Sequence, residues 1–235
     1  MPTHFVLIFV GVLVLILGIA AYGWYAAKKR REAMTAWAAA RGLSFDPARR
    51  HGVDDAFPAF DCLRRGRNRY AYNTLEGAWG DRRFTGFDYH YETQSTDSKG
   101  HRRTTHHRFS AVILTSSVPL KPLFVRPEGF FDKVTEFFGI DDIDFESAEF
   151  SRAFYVKAPD KRWAYDVIHQ RTMQFLLDNP RFSMKFDAGR VIAWRSSRFK
   201  VEEFAAAADV VAGLLDNLPD YVVQQQWDRQ EEPRQ

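Results

Sequence analysis

The chain has 235 residues, of which 46% are hydrophobic and 15% aromatic, and its 33 Lys and Arg against 30 Asp and Glu give a net charge of +3. This composition excludes a chain that is disordered over most of its length. Its single cysteine, Cys62, excludes an internal disulfide and a zinc site made of several thiolates. One thiol is also more typical of the reducing cytoplasm than of an oxidising compartment.

The first predicted element is a membrane-spanning helix. Residues 5–25 contain no charge and no proline, and about 20 apolar residues in a helix match a hydrocarbon core of roughly 30 Å. A cleaved signal peptide carries its positive charges before the apolar segment, whereas this chain carries them after it. We therefore expect a single-pass anchor in residues 1–31. Its basic flank consists of Lys28, Lys29, Arg30 and Arg31.

The basic flank also predicts an orientation. Lys and Arg beside a membrane segment remain on the cytoplasmic side, so the body of the protein is expected in the cytoplasm. A short juxtamembrane helix is predicted over residues 32–42, because Met34, Trp37 and Ala38 share one face and Gly42 supplies a stop. A globular domain over residues 43–223 and a polar tail over residues 224–235 complete the predicted organisation.

Alternating residues predict an antiparallel hairpin early in the globular domain. Within residues 84–93, Phe87, Tyr89 and Tyr91 alternate with polar residues, which is the period of a half-buried strand. Residues 108–115 return as a second strand. The connection, residues 94–105, is polar and basic, and we expect it to form an exposed loop.

The second half of the chain is predicted to alternate between strands and helices. The strands are residues 123–125, 150–156, 182–186 and 191–194, and the helices are residues 130–138, 160–179 and 201–218. Adjacent strands with short turns between them imply antiparallel pairing. The predicted fold class is therefore α+β, with an N-terminal transmembrane helix followed by a mostly antiparallel sheet that packs against about three helices.

No familiar catalytic motif marks an active site in this sequence. It contains no G-x-S-x-G, phosphate-binding loop, G-x-G-x-x-G, H-E-x-x-H or C-x-x-C. The acidic residues from Asp141 to Glu149 lack the glycine and the spacing of a calcium loop. We therefore assign no catalytic residue and expect no cofactor.

The candidate binding site is a basic contact loop at the end of the predicted hairpin. It contains Arg102, Arg103, His106, His107 and Arg108. Histidines at these spacings are potential zinc or nickel ligands, but the arginines around them oppose a cation and no acidic residue lies between Gly100 and Phe109. We therefore predict no metal site. The loop is either a contact for anionic headgroups or a solvated hairpin tip, and the membrane tether makes nucleic acid an unfavoured partner.

Three segments together resemble a group of bacterial membrane-anchored proteins classified as a domain of unknown function. They are residues 87–91 (FDYHY), 122–128 (PLFVRPE) and 149–156 (EFSRAFYV), the last of which is followed by a helix. The resemblance extends over about residues 85–221. It implies a membrane-proximal α+β domain and supplies no catalytic residues.

The function predicted from these features is that of an adaptor or scaffold. One helix anchors it in the bacterial inner (plasma) membrane, and its cytoplasmic domain binds a protein partner or an anionic lipid surface. Two alternatives stay open. An enzyme with an unmarked site requires Cys62, His90 and an acid to meet in one pocket, whereas a regulatory domain for a small anionic ligand requires a concave basic cleft.

Overall fold

A helix of 37 residues, α1 (Thr3–Ala39), begins the computed structural model, which describes residues 3–98, 100–129, 142–187 and 189–231. The predicted helix over residues 130–138 lies outside these ranges. The apolar part of α1 has a mean hydropathy of 2.5 over 18 residues, and none of it is buried by the rest of the protein. At roughly 55 Å, α1 is long enough to cross a membrane and to continue beyond it as a stalk.

Within the described residues, eight strands form one antiparallel sheet. They are β1 (Ser44–Asp46), β2 (Arg67–Trp79), β3 (Arg82–Thr96), β4 (Arg102–Thr115), β5 (Leu123–Pro127), β6 (Phe154–Lys157), β7 (Ser183–Asp187) and β8 (Arg190–Arg195). Their order across the sheet is β1-β2-β3-β4-β8-β7-β5-β6, and every neighbouring pair is antiparallel. The sheet and the long apolar helix confirm the predicted α+β class.

The remaining helices lie between and after the strands. They are α2 (Val53–Ala56), α3 (Ala148–Ala153), α4 (Lys161–Val167), α5 (Gln170–Asp178), α6 (Glu203–Asp216) and α7 (Asp220–Glu231), together with a 3₁₀ turn at Asp61–Leu63. The apolar face of α6 buries Phe204, Val211 and Leu214 against β4 and β8. This helix therefore covers the centre of the sheet.

The sheet separates two hydrophobic cores. The larger core lies on the helical face and contains Phe84, Val112 and Leu214. The smaller core lies on the opposite face, where Tyr89 packs with Cys62 of the 3₁₀ turn. Because both faces are covered, the middle of β3 is buried on both sides. The polar residues in this part of the strand, which the alternating pattern predicts on an exposed face, are therefore buried.

The last turns of α1 form part of the larger core. Met34 and Ala38 are fully buried or nearly so, and the Trp37 ring stacks on Trp79 with 6.3 Å between centroids. The helix and the sheet are therefore one packed unit. A fragment that began at residue 43 would lose all three α1 side chains from this core.

The structure corrects the predicted strand over residues 150–156. The first half of this segment is the helix α3, because the Ser147 side chain caps it by accepting a hydrogen bond from the Phe150 amide at 3.2 Å. The strand begins only at Phe154.

One helical prediction is also corrected. The helix predicted over residues 160–179 is broken into α4 and α5 at Ile168 and His169, where the His169 Nε2 donates to the Asn217 carbonyl at 2.9 Å. The predicted polar tail is helical as far as Glu231. Val222 of α7 is buried in the larger core, and this packing stabilises a segment that has little apolar character of its own.

Candidate functional site

An ion pair between Arg30 of α1 and Asp88 of β3 holds the long apolar helix against the sheet. Arg30 donates to both carboxylate oxygens, from Nε at 2.9 Å and from Nη2 at 2.7 Å, and its Nη1 donates to the Phe199 carbonyl at 2.7 Å. The Asp88 side chain is 0% exposed and that of Arg30 is 16% exposed. A carboxylate this deeply buried requires a paired charge and full hydrogen bonding.

Side chains of β2 and β4 supply the other hydrogen bonds of Asp88. Asn73 Nδ2 donates to Oδ2 at 2.9 Å, and Ser110 Oγ donates to Oδ1 at 2.5 Å. Asn73 lies at a bulge in β2 with a φ of 52°, a left-handed conformation in which asparagine is one of the few common residues. Each oxygen of Asp88 thus accepts two hydrogen bonds, and one buried group joins α1, β2, β3 and β4.

The ends of β3 and β4 extend from the sheet as a hairpin arm, residues 93–106. The strands stay paired up to Thr96 and Arg102, and Asp97 closes the turn by accepting a hydrogen bond from the His101 amide at 2.9 Å. Most of the predicted loop over residues 94–105 is therefore strand. Its threonines explain the difference, because β-branched residues favour extended backbone even where the sequence is polar.

Two contacts define the direction of the arm relative to α1. Trp37 stacks on Trp79, which stacks on Phe84 near the start of β3, whereas Arg30 pairs with Asp88. From Trp37 to Arg30, α1 advances roughly 10 Å towards its apolar segment, and from Phe84 to Asp88, β3 advances roughly 13 Å towards the arm. The arm therefore points towards the membrane end of α1.

The arm extends past the level of the basic flank of α1. From Asp88 to Thr96, an extended strand spans roughly 26 Å, whereas Arg30 and Lys28 are separated by only about 3 Å along the helix axis. Arg102 and Arg103 are exposed on the arm, and Lys28 and Lys29 are exposed on α1. Basic residues of two elements thus project towards the same end of the protein.

A compact polar cluster of His90, Glu92 and His106 lies at the base of the arm. Nε2 of His90 is 3.2 Å from Nδ1 of His106, which is 3.4 Å from Oε1 of Glu92. Glu92 and His106 are cross-strand partners, and His90 shares their face because it lies two residues from Glu92. His90 is buried, the Glu92 side chain is 13% exposed and that of His106 is 58% exposed.

Asn68 of β2 orients two members of this cluster. Its backbone carbonyl accepts a hydrogen bond from Nδ1 of His90 at 3.1 Å, which leaves Nε2 of that ring with a free lone pair. Its Nδ2 donates to Oε1 of Glu92 at 2.6 Å. Asn68 lies at a second bulge of β2 with a φ of 50°, and bulges and unusual backbone angles are concentrated at functional sites.

The surroundings favour the deprotonated forms of Glu92 and His90. Burial lowers the pKa of His90, and the nearby Arg108 lowers it further, although the hydrogen bond to Asn68 opposes the shift. The hydrogen bond from Asn68 lowers the pKa of Glu92, to which the neighbouring histidines also contribute. At neutral pH the cluster therefore contains a carboxylate and an uncharged His90.

A basic cleft of about 1080 Å³ opens beside the arm. Its charged and titratable lining consists of Arg64, Arg65, Arg108, His106, His107 and Asp61. His107 stacks on Tyr91 with 4.6 Å between ring centroids, and Trp194 lines the cleft with its apolar surface. This is the kind of cleft that the small-anion alternative requires.

The arrangement required by the enzyme alternative is not found among the described residues. Cys62 packs with Tyr89 in the smaller core, whereas His90, the next residue of β3, bonds to Asn68 and His106 on the opposite face. The cleft contains Cys62 and Asp61 without His90. The sheet therefore separates the two residues that this alternative would bring together.

The predicted contact residues are distributed over three parts of the site. Arg102 and Arg103 lie on the arm, His106 belongs to the polar cluster, and His107 and Arg108 line the cleft. Arg30 of the predicted membrane flank is bound inside the domain.

Sequence reasoning missed Glu92 and Asn68, because it searched for an acid only within the loop. The register of the predicted hairpin, which pairs Glu92 with His106, is the signal that would have located the acid.

No family model matches this chain, and no curated protein matches it significantly. The chain is similar in structure to the mycobacterial trehalose monomycolate transport factor A, TtfA, known from a crystal structure. The TM-score is 0.57 at 13% sequence identity, and the match covers 81% of this chain and 93% of that chain. At this identity the similarity shows a shared fold.

Proposed function

We propose that this protein is a membrane-anchored accessory factor without chemistry of its own, which contacts anionic lipid headgroups through its hairpin arm. In this proposal the domain lies at the cytoplasmic face of a bacterial inner membrane, the side that the basic flank of α1 predicts. The direction of the arm is the observation that carries the proposal. Arg102 and Arg103 project towards the membrane end of α1.

Electrostatics near a membrane supports this role. A basic residue close to an anionic leaflet contributes about 1 kcal/mol, but only within a Debye length of roughly 8 Å. The ion pair of Arg30 with Asp88 fixes the domain against the helix. Contact of the arm with the membrane surface therefore requires little further loss of conformational freedom. The likeness in fold to a protein that is named as a transport factor supports the role of an accessory factor.

The position of the arm can be tested with the full chain in lipid nanodiscs. A fluorophore on Ser98→Cys, in a Cys62→Ala background, reports its distance from headgroups that carry a quencher. We expect stronger quenching in anionic than in zwitterionic nanodiscs, and we expect high salt to remove the difference. The double variant Arg102→Ala, Arg103→Ala should reduce the quenching in anionic nanodiscs to the zwitterionic level.

Lys161 and Arg162 provide a matched control, because they are two adjacent exposed basic residues of α4, which packs beside the far edge strand β6. Replacing both with alanine removes the same charge and should leave the quenching unchanged. Equal quenching in the two lipids, or quenching that does not respond to the arginine double variant, would exclude the lipid contact.

The cleft favours a second candidate function, the binding of a small anionic ligand. Arg64 and Arg65 are two adjacent arginines in the lining of one concave surface, and guanidinium groups bind phosphate oxygens in bidentate geometry. Inorganic pyrophosphate is a suitable probe. It should raise the melting temperature of the full chain in detergent, and the double variant Arg64→Ala, Arg65→Ala should abolish this increase while the variant of Arg102 and Arg103 keeps it.

A further inference from the structure

Two distances within the cluster of His90, Glu92 and His106 match those of a tetrahedral metal site. Their potential ligand atoms all lie within 4.8 Å of one another, and the two distances that involve Nδ1 of His106 are 3.2 and 3.4 Å. Two ligands at about 2.0–2.1 Å from a tetrahedral zinc ion are separated by roughly 3.3 Å. Both measured distances therefore leave space for one ion between the three side chains.

A shared proton is the competing explanation for this geometry. Nδ1 of His90 donates to the Asn68 carbonyl, so its Nε2 can only accept a hydrogen bond. His106 can then donate from Nδ1 towards His90, with the Glu92 carboxylate as a second acceptor. A metal ion would take the place of this proton, and His106 would then carry its N–H on Nε2 instead of Nδ1.

The hydrogen bonds around the cluster favour a bound metal ion over a shared proton as the explanation of its geometry. A histidine that ligates a metal usually donates its second ring nitrogen to a carbonyl or carboxylate, and ligating carboxylates are themselves hydrogen-bonded. Asn68 supplies both of these interactions, from its carbonyl to His90 and from its amide to Glu92. The Tyr70 ring also stacks on His90 with 4.6 Å between centroids, which fixes the plane of the imidazole.

Two arginines oppose a cation at this position. Nε of Arg67 lies 4.0 Å from Oε2 of Glu92, and Arg108 is the cross-strand partner of His90. The Arg67 side chain is 56% exposed, so solvent screens most of its charge. Both arginine side chains are long enough to turn away, whereas the three ligands are held by the strands and by Asn68. The two arginines therefore lower the affinity of the cluster for a cation, but they do not occupy the position of the ion.

We propose that His90, Glu92 and His106 bind one divalent transition-metal ion, for which Zn²⁺ is the best match. Two imidazoles and one carboxylate form a ligand set that zinc accepts with a fourth position left for water, and the exposed side of His106 leaves that position open to solvent. Because Glu92 and His106 lie on adjacent strands, the ion would cross-link β3 and β4 and stiffen the base of the arm.

The proposal can be tested with the full chain in detergent, purified without a histidine tag and stripped with a chelator. Co²⁺ is the probe, since a tetrahedral site gives it strong visible ligand-field bands. We expect one Co²⁺ per chain and displacement by Zn²⁺. His106→Ala, at an exposed position that does not endanger folding, should weaken binding by at least roughly tenfold.

Neighbouring histidines of the same hairpin provide the controls. His107→Ala and His101→Ala should leave the affinity and the spectrum unchanged. Asn68→Gly, which keeps the positive φ and the carbonyl but removes the hydrogen bond to Glu92, should weaken binding by about 10- to 100-fold. Absence of the tetrahedral bands at millimolar Co²⁺, or equal binding by the wild type and His106→Ala, would overturn the proposal.

Discussion

Arg30 and Asp88 form a bidentate ion pair, with hydrogen bonds of 2.7 and 2.9 Å, between the long apolar helix α1 and β3, the strand that lies between β2 and β4. The residues are 58 positions apart in the sequence, and the carboxylate has no exposed surface. The pair therefore fixes the angle between the helix and the sheet, and with it the direction of the hairpin arm.

Arg30→Ala should strongly destabilise the protein. The variant leaves the Asp88 carboxylate buried without its counter-charge, a change that costs about 3–5 kcal/mol in buried ion pairs. Chemical denaturation of the full chain in detergent measures the free energy of unfolding. Arg31→Ala is the matched control, because Arg31 belongs to the same helix and is exposed, and it should change the free energy by less than about 0.5 kcal/mol.

A second variant separates loss of the ion pair from damage to the helix. Adding Asp88→Asn to Arg30→Ala removes the buried charge, so part of the lost stability should return. If the double variant is no more stable than Arg30→Ala, the uncompensated carboxylate is not the cause of the destabilisation.

Fragments with different starting points should differ in stability. A fragment of residues 28–235 keeps Arg30, Met34 and Trp37, whereas a fragment of residues 43–235 removes them from the ion pair and the core. Loss of a single large core side chain usually costs about 2–5 kcal/mol. We expect the longer fragment to melt cooperatively at a higher temperature in calorimetry, and equal melting temperatures would contradict the assignment of α1 to the core.

The sequence was sufficient to predict several of the elements but not the site they build. Apolar length located α1, and the alternation of Phe87, Tyr89 and Tyr91 located β3, because both patterns are local. The burial of Asp88 and the grouping of Glu92 with His106 depend on partners in other elements, which no local pattern contains. Arg30 illustrates this limit. It is one of four basic residues in the flank, and it pairs with a carboxylate that lies far along the chain.

Stability should decrease on mild acidification because of His90. Burial lowers its pKa in the folded state below the value of about 6.5 expected in the unfolded chain. Below pH 6.5 the unfolded state therefore binds more protons, and stability is lost as the pH falls towards the folded-state pKa. Glu92, whose folded-state pKa is also lowered, adds a loss of the same sign below its unfolded value of about 4.3.

Free energies of unfolding measured between about pH 7.5 and 5.5, with a chelator present, test this dependence. His90→Gln, which cannot be charged, should flatten the slope across this range. His107→Ala should retain most of it, since His107 lies outside the polar cluster. A wild-type stability that stays constant or increases towards pH 5.5 would refute the prediction.

Gly66 should tolerate alanine much less well than Gly80, although the two have nearly the same backbone conformation. Their φ values are 59° and 61°, so a β-carbon causes a similar backbone strain of roughly 1–2 kcal/mol at either position. At Gly66 it would also overlap the backbone carbonyl of Glu92, whereas at Gly80 it would meet nothing within 4 Å. The difference between the two variants therefore isolates the steric term.

We expect Gly66→Ala to lose about 1–3 kcal/mol more stability than Gly80→Ala, which is the usual cost of forcing atoms into packed structure. It should also disturb the base of the hairpin arm, because the carbonyl it displaces belongs to a residue of the polar cluster. Chemical denaturation measures the first effect, and the backbone amide chemical shifts of Glu92 and His106 report the second. Equal losses from the two variants would mean that β3 moves freely away from Gly66, and the cluster would then lack the rigid support that its geometry implies.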